Sequence, residues 1–362
     1  MTTSSKGNGF IFKVKSEDGL ALRVLSEYFA NVLSFPPFQV NDRGIFVRAV
    51  NKQGEVLVDA QMPRSSFPIF KCAKPIYFGV NATHFYRLLR PIKKKDTVSL
   101  FIREQLPMQL GICVEQGDKP GDRVTTYIQI NYIQPDEIEL PEGYDDNPII
   151  ETSKRFQRLK MLHTIGPNIW ATVIGGKRIR FTVNGKNLFS REVTIGETSD
   201  EDNDDENTPS YTLTYPTNHI TQLTKCAGQS GNVQIFQNEE LPLFIQMRLE
   251  SLATLSIYIK SKELIEQLES SADNIAKENQ TSDVQDKPEE MEIVTNVPKS
   301  TSKSSSSAKN EKKGKARRKK EKEPSDDENE EETTPDDKNE KDEENKENND
   351  DEESAEKNEE DE

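Results

Sequence analysis

The sequence is short of what a covalently stapled, membrane-bound or catalytic protein needs. Its 362 residues include three cysteines, Cys72, Cys113 and Cys226. They are odd in number and lack C-x-x-C spacing, which argues against a disulfide framework or zinc site and for a reducing compartment. No run approaches the roughly 18 apolar residues of a membrane span. Met1-Thr2-Thr3-Ser4-Ser5-Lys6-Gly7 opens without an apolar signal region. An intracellular, soluble chain with no membrane partner is expected. Histidine is equally scarce. His84 and His219 suit packing or capping at helix starts, and His163, placed on an apolar helix face, has no serine or cysteine partner in view. Gly175-Gly176-Lys177 lacks the spacing of a phosphate loop. The reading is therefore not an enzyme, with no metal and no cofactor.

Aromatic and branched apolar side chains are nearly missing from the C-terminal quarter. Residues 271–362 hold 32 acidic and 17 basic residues. Such a segment cannot bury enough apolar surface to offset an ordering entropy of about 1–2 kcal/mol per residue. Residues 269–362 are expected to form a disordered charged tail. Residues 1–270 keep the other 32 acids and 31 bases, so the net charge of −16 belongs to the tail. Nine of the fourteen residues in Lys309–Lys322 are basic, a nuclear-import or nucleic-acid patch in one reading and a generic disordered block in the other. Residues 323–362 carry 23 acids against four lysines. This segment either folds back on the basic block or keeps the rest from sticking to DNA. The acidic run Glu197–Glu206 reads by default as a solvated loop.

What is present is a repeat. Residues 83–110 lie without a gap on residues 218–245, with identities at His84/His219, Leu88/Leu223, Val98/Val233, Phe101/Phe236, Glu104/Glu239, Leu106/Leu241 and Pro107/Pro242. A helix-then-hairpin unit repeated at long spacing implies two copies of one domain. In the first half, Phe10–Lys15 alternates as a strand. Leu20–Leu33 has helical periodicity, with Ala21, Val24, Leu25, Tyr28 and Val32 on one face. Strand-rich segments follow at Phe38–Val50, Val56–Met62 and Ile76–Val80. The repeated unit then gives a helix at Ala82–Leu89 and a hairpin at Val98–Val114, and Thr125–Tyr132 closes the half. Residues 133–150 read as an extended connector. The second half runs through a helix at Ser153–Ile165, with Phe156, Leu159 and His163 on one side. Strands follow at Ile169–Val173, Ile179–Val183, Leu188–Ile195 and Ser210–Tyr215. After the second unit come the strand Leu252–Lys260 and a short helix at Lys262–Leu268. The class is α+β.

Phe78-Gly79-Val80-Asn81 running into the helix that ends at Arg90, and Leu223-Thr224-Lys225-Cys226-Ala227-Gly228 in the second half, are the most telling stretches. With Ile138-Glu139-Leu140-Pro141-Glu142 and Leu255-Ser256-Ile257-Tyr258, they resemble segments of the proliferating cell nuclear antigen family of DNA sliding clamps. The resemblance covers roughly residues 9–262, and the order and spacing of these segments carry it. It implies a DNA-clamp fold: domain 1 at 9–132, an interdomain connector at 133–150, domain 2 at 151–268, and the tail outside. Helices would line a ring channel and sheets would form the rim. The implied function is a sliding clamp and DNA polymerase processivity factor, usually a homotrimer around double-stranded DNA, that tethers replication and repair proteins. A DNA polymerase, other clamp-binding peptides and a clamp loader are the implied partners. The location would be the nucleus or a viral replication compartment, and the composition hints at a large DNA virus.

Arg87 and Arg90 lie opposite the apolar stripe of their helix. With Arg23, Lys154, Arg155, Arg158 and Lys225 on the other helices they are the candidate DNA contacts, although the first helix also carries Glu27. Basic residues that touch phosphates without reading bases give weak, salt-sensitive binding, which sliding requires. By resemblance, a partner-peptide pocket forms from Val50, Leu57, Ile138, Leu140, Pro141, Pro242 and Tyr258, unless these residues are simply interdomain core. Thr125–Tyr132 and Leu188–Ile195 are the candidate edge strands for ring closure, and a proline at Ile128 is expected to give a monomer. The alternatives are a clamp serving checkpoint or transcription partners, a monomeric clamp-like processivity factor with one basic face, and a clamp-fold scaffold that does not encircle DNA. Deleting residues 271–362 is expected to leave the globular melting transition in place, and its loss would refute a dispensable tail.

Overall fold

The computed structural model describes residues 9–118, 121–134, 136–186, 188–197 and 209–271. The first half contains β1 (Phe10–Ser16), α1 (Gly19–Val32), β2 (Pro37–Asn41), β3 (Gly44–Val50), β4 (Val56–Pro63), β5 (Ile69–Cys72), β6 (Ile76–Val80), α2 (Ala82–Leu89), β7 (Thr97–Arg103), β8 (Leu106–Glu115) and β9 (Arg123–Tyr132). The second contains β10 (Ile149–Thr152), α3 (Ser153–Phe156), a 3-10 helix (Gln157–Leu162), β11 (Asn168–Ile174), β12 (Arg178–Gly185), β13 (Phe189–Gly196), β14 (Pro209–Pro216), α4 (Thr217–Thr221), α5 (Leu223–Ala227), β15 (Asn232–Phe236), β16 (Leu243–Leu249) and β17 (Ala253–Ile259). A last helix occupies 262–271.

The repeat is realised in both copies. Helices α2 and α4 start at Ala82 and Thr217, and strands β7 and β15 at Thr97 and Asn232, which is the same offset in each case. Asn81 caps α2 by accepting a hydrogen bond from the His84 backbone N–H at 2.9 Å. The second copy starts after Pro216 without a side-chain cap and breaks at Gln222 into α4 and α5. Its threonines account for the break, because Thr221 donates back to the Thr217 carbonyl and Thr224 to the Thr221 carbonyl. Such back-bonding competes with the helical ladder and bends it.

Thirteen strands follow the order β10-β15-β16-β17-β4-β3-β2-β6-β9-β8-β7-β1-β5, and four more form β13-β12-β11-β14. The halves meet where β17 pairs antiparallel with β4. Its register sorts the residues by face. Leu255 opposite Ala60, Ile257 opposite Val58 and Ile259 opposite Val56 are all buried in the core. Ser256 opposite Asp59 and Tyr258 opposite Leu57 point to the other face. On the core side, α1 packs against α2 in its own half and against α5 of the other, so the helices form one layer across the seam. His219 and Glu55 add a 2.7 Å contact between the halves.

Three expectations are corrected. The segment expected to be helical over Ser153–Ile165 is one α-turn followed by 3-10 helix, so its buried face runs Phe156, Leu159, Leu162 at a period of three. His163 is consequently exposed rather than on the apolar face. The connector ends in a strand, since β10 pairs with β15 through Ile149 opposite Ile235. Ile128 is buried and opposite Leu110 of β8, so a proline there damages the fold before it tests any assembly. The loop at 197–206 lies outside the described residues apart from Glu197, and the tail beyond 271 lies wholly outside them.

Ile257→Ala removes a fully buried side chain from the seam. It is expected to cost about 2–5 kcal/mol in denaturant unfolding. A loss below about 1 kcal/mol would show that the seam can relax around the cavity.

Candidate functional site

Two surfaces gather the expected residues, one on the helices and one on the opposite face of the seam. On α2, Ala82, Phe85 and Leu89 are buried, while Arg87 and Arg90 are exposed. Neither arginine forms an ion pair among the described residues. Lys154 and Arg158 are likewise exposed beside the buried Phe156–Leu159–Leu162 line. The other three cations are engaged. Arg23 donates to the Ile92 carbonyl at 2.8 Å and ties α1 to the end of α2. Arg155 pairs with the buried Glu151 at 3.2 Å and also donates to the Gly196 carbonyl at 3.3 Å. Lys225 on α5 pairs with Glu27 on α1, across the two halves. Four of the seven candidates are thus left to face an external anion, and the 3-10 segment adds the exposed Lys160.

On the seam's other face a single cross-strand row carries Val50, Leu57, Tyr258, Phe244 and Phe236 over β3, β4, β17, β16 and β15. Phe244 stacks on Phe236 at 4.5 Å and on Tyr258 at 4.4 Å. Tyr144 of the connector tilts over Phe244 at 5.3 Å, and its hydroxyl donates to the Pro242 carbonyl at 2.7 Å. Burial, with Tyr258 beside it, raises the Tyr144 pKa, so the hydroxyl remains a donor.

The connector's other anchor is electrostatic. Arg48 donates to the Ile138 carbonyl at 3.0 Å and to Asp59 Oδ1 at 2.9 Å. Asp59 is 2% exposed, and its second oxygen accepts from Gln61 at 2.7 Å. Leu140 and Pro141 are half-buried between these two anchors, and Val50 is open to solvent. Of the seven pocket candidates, Val50, Leu57 and Tyr258 are direct cross-strand neighbours. Pro242 joins them through Tyr144, and Ile138 is held beside them through Arg48. Pro242 and Tyr258 are buried, so they form the floor rather than the rim. A cavity of about 560 Å3 also opens beneath the start of the connector, lined by Phe46, Arg48, Tyr77 and Ile138 among others.

The family model for the proliferating cell nuclear antigen N-terminal domain matches residues 11–133. The chain is 23% identical over 260 residues to the proliferating cell nuclear antigen of Chaetomium thermophilum, covering 70% of this chain and 98% of that one. It is 21% identical over 255 residues to a probable DNA polymerase sliding clamp of Paramecium bursaria Chlorella virus 1, covering 69% and 96%. The crystal structure of the Entamoeba histolytica protein superposes with a TM-score of 0.60 at 19% identity, over 70% of this chain and all of that one. These matches support a sliding clamp related to the proliferating cell nuclear antigen family. Its fold is the α+β clamp fold, with the helices as one layer and the large sheet as the other.

Sequence reasoning missed Tyr144, Phe244 and the Arg48–Asp59 anchor of this clamp. An aromatic ring in an acidic, proline-bearing connector was the available signal for Tyr144. Nothing in the local pattern marks Arg48 and Asp59, which face each other only through the β3–β4 register. Asp59→Ala leaves Arg48 without its carboxylate. Cleavage within residues 136–142 by added protease is then expected to quicken by about tenfold, the scale of one charge-assisted hydrogen bond. An unchanged cleavage rate there would remove Arg48 as the anchor.

Proposed function

We propose that the chain is a subunit of a closed ring that slides on duplex DNA and tethers a DNA polymerase to it. The observation that carries this reading is the single helix layer spanning both halves, with Arg87, Arg90, Lys154 and Arg158 on its exposed side. Cations that meet phosphates without reading bases hold DNA weakly at any position. Escape is then prevented by closure, so the ring both slides and stays on. The engaged Arg23, Arg155 and Lys225 stiffen the layer and are secondary DNA contacts.

Closure falls to two strand edges. Strand β9 pairs with β6 only through residues 130–132, and β13 is the outer strand of the four-stranded sheet. Each edge carries apolar side chains in solvent, Val124 on one and Leu188 and Phe189 beside the other. Repeated head to tail, this pairing closes a homotrimer, and the two halves at 9–132 and 151–268 act as its repeating domains. Partner peptides from a polymerase or other replication and repair proteins would seat an apolar anchor over Val50, Leu57, Ile138, Leu140 and Pro141, with Pro242, Tyr258 and Tyr144 beneath. A clamp loader would open the ring. The role is non-enzymatic, in the nucleus or a viral replication compartment.

Light scattering of the full chain is expected to give three subunits, and the protein should stay on circular duplex while running off linearised DNA. A monomer indifferent to DNA ends would overturn the ring. Arg87→Ala with Arg90→Ala is expected to flatten the salt dependence of duplex binding by about two units of log–log slope. Glu27→Gln frees Lys225 and should steepen that slope by about one. The same slope in all three proteins would take the helix layer out of DNA contact.

A further inference from the structure

The outward face of β5, β1, β7, β8 and β9 carries a pattern that neither the core nor the proposed ring uses. Along β1, Phe12, Val14 and Ser16 are buried, which turns Lys13 and Lys15 to the opposite face. One cross-strand row there reads Lys71, Lys13, Phe101, Gly111, Tyr127. It places two lysines directly opposite each other, and like charges in that position destabilise a sheet. No carboxylate pairs with either lysine among the described residues. Folding therefore gives no reason for the pair.

Aromatic rings lie among these cations. Phe101 rests over Gly111, where any side chain would collide with its ring. It meets Phe10 edge-on at 5.7 Å and Tyr127 at 6.1 Å. Lys13 sits 4.9 Å from the Phe10 centroid, and the Arg103 guanidinium 5.2 Å from that of Phe101. Phe10 is half-buried and Tyr127 is 43% exposed, so both present ring surface to solvent. Glu115 on this face is already taken, bridging Lys15 at 3.4 Å and Arg123 at 3.1 Å. Glu104 lies at the hairpin tip beside Gly9. Lys13, Lys71 and Arg103 remain uncompensated.

We propose that this face binds single-stranded DNA, with phosphates on Lys13, Lys71 and Arg103 and bases against Phe10 and Tyr127. Cations that track a backbone beside accessible rings are what single strands use, because every base has a face to stack. A duplex conceals its base faces and would leave the rings idle. An acidic peptide would satisfy the cations and likewise ignore the rings. The site lies on the sheet rather than the helix layer, so it goes beyond the proposed sliding function and does not depend on ring closure. A clamp with this face holds duplex on one side of its wall and an unpaired strand on the other.

The test is fluorescence anisotropy of a labelled oligothymidylate with the full chain at about 50 mM salt. Lys13→Glu with Arg103→Glu is expected to weaken binding at least about tenfold, with a salt slope near −2 for the parent chain from three phosphate contacts. Lys13→Glu sets a carboxylate opposite Lys71, so the sheet should tolerate it, and an unchanged melting temperature verifies the fold. This variant should remain on circular duplex as the parent does. Arg87→Ala with Arg90→Ala should show the reverse, weaker duplex retention with oligonucleotide binding intact. Equal oligonucleotide binding by the folded Lys13/Arg103 variant would overturn the site. Full displacement by polyglutamate of equal charge would overturn it too, by assigning the face to an acidic peptide.

Discussion

The antiparallel pairing of β17 with β4 is the constraint on which the rest depends. It joins strands nearly two hundred residues apart in sequence, and its register assigns every residue along the seam to one of two faces. One face supplies Val56, Val58, Ala60, Leu255, Ile257 and Ile259 to the core that supports the helix layer. The other supplies Leu57, Asp59 and Tyr258 to the surface under the connector. A slip of one residue would exchange these sets, turning Asp59 into the apolar core away from Arg48 and moving Ile257 out of it. Both candidate surfaces are consequences of the same hydrogen-bond ladder.

Charge on the helix layer is compensated selectively. Glu27 holds Lys225, Glu151 holds Arg155, and the Ile92 carbonyl holds Arg23. These contacts join elements that backbone pairing does not reach, α1 to α5 and α3 to its preceding strand. The cations they spare, Arg87, Arg90, Lys154 and Arg158, remain for the proposed duplex contact, and four are too few for tight binding. Asp59 shows the same economy on the opposite face. Buried charge is tolerated where both oxygens are satisfied, and here its partner also positions the connector.

Much of this was legible in the chain. Alternation located β1, strand-rich composition located the seam strands, the apolar stripe located α2, and the constant offset of the repeat located its second copy. The failures are instructive. The segment after Ser153 was read with a period of 3.6, which puts His163 on the apolar side. Its 3-10 period of three selects Leu162 instead, and the two periods diverge only after the second turn. Strand β10 was hidden because four residues beside prolines and acids carry too little periodicity to register, and its partner β15 lies over eighty residues away.

The sequence by itself determined most element types, the duplication, the near-neutral balance of residues 1–270 and the exposure of Arg87 and Arg90. These are local quantities, set by periodicity, capping and composition over a few turns. Tertiary structure alone decided that Lys225 is already paired, that Arg48 and Asp59 hold Ile138, and that Lys13 and Lys71 stand opposite each other. Each of those depends on strand register or on helices brought together across the seam. Register is fixed by the summed burial of whole strands, and no short stretch of the chain encodes it.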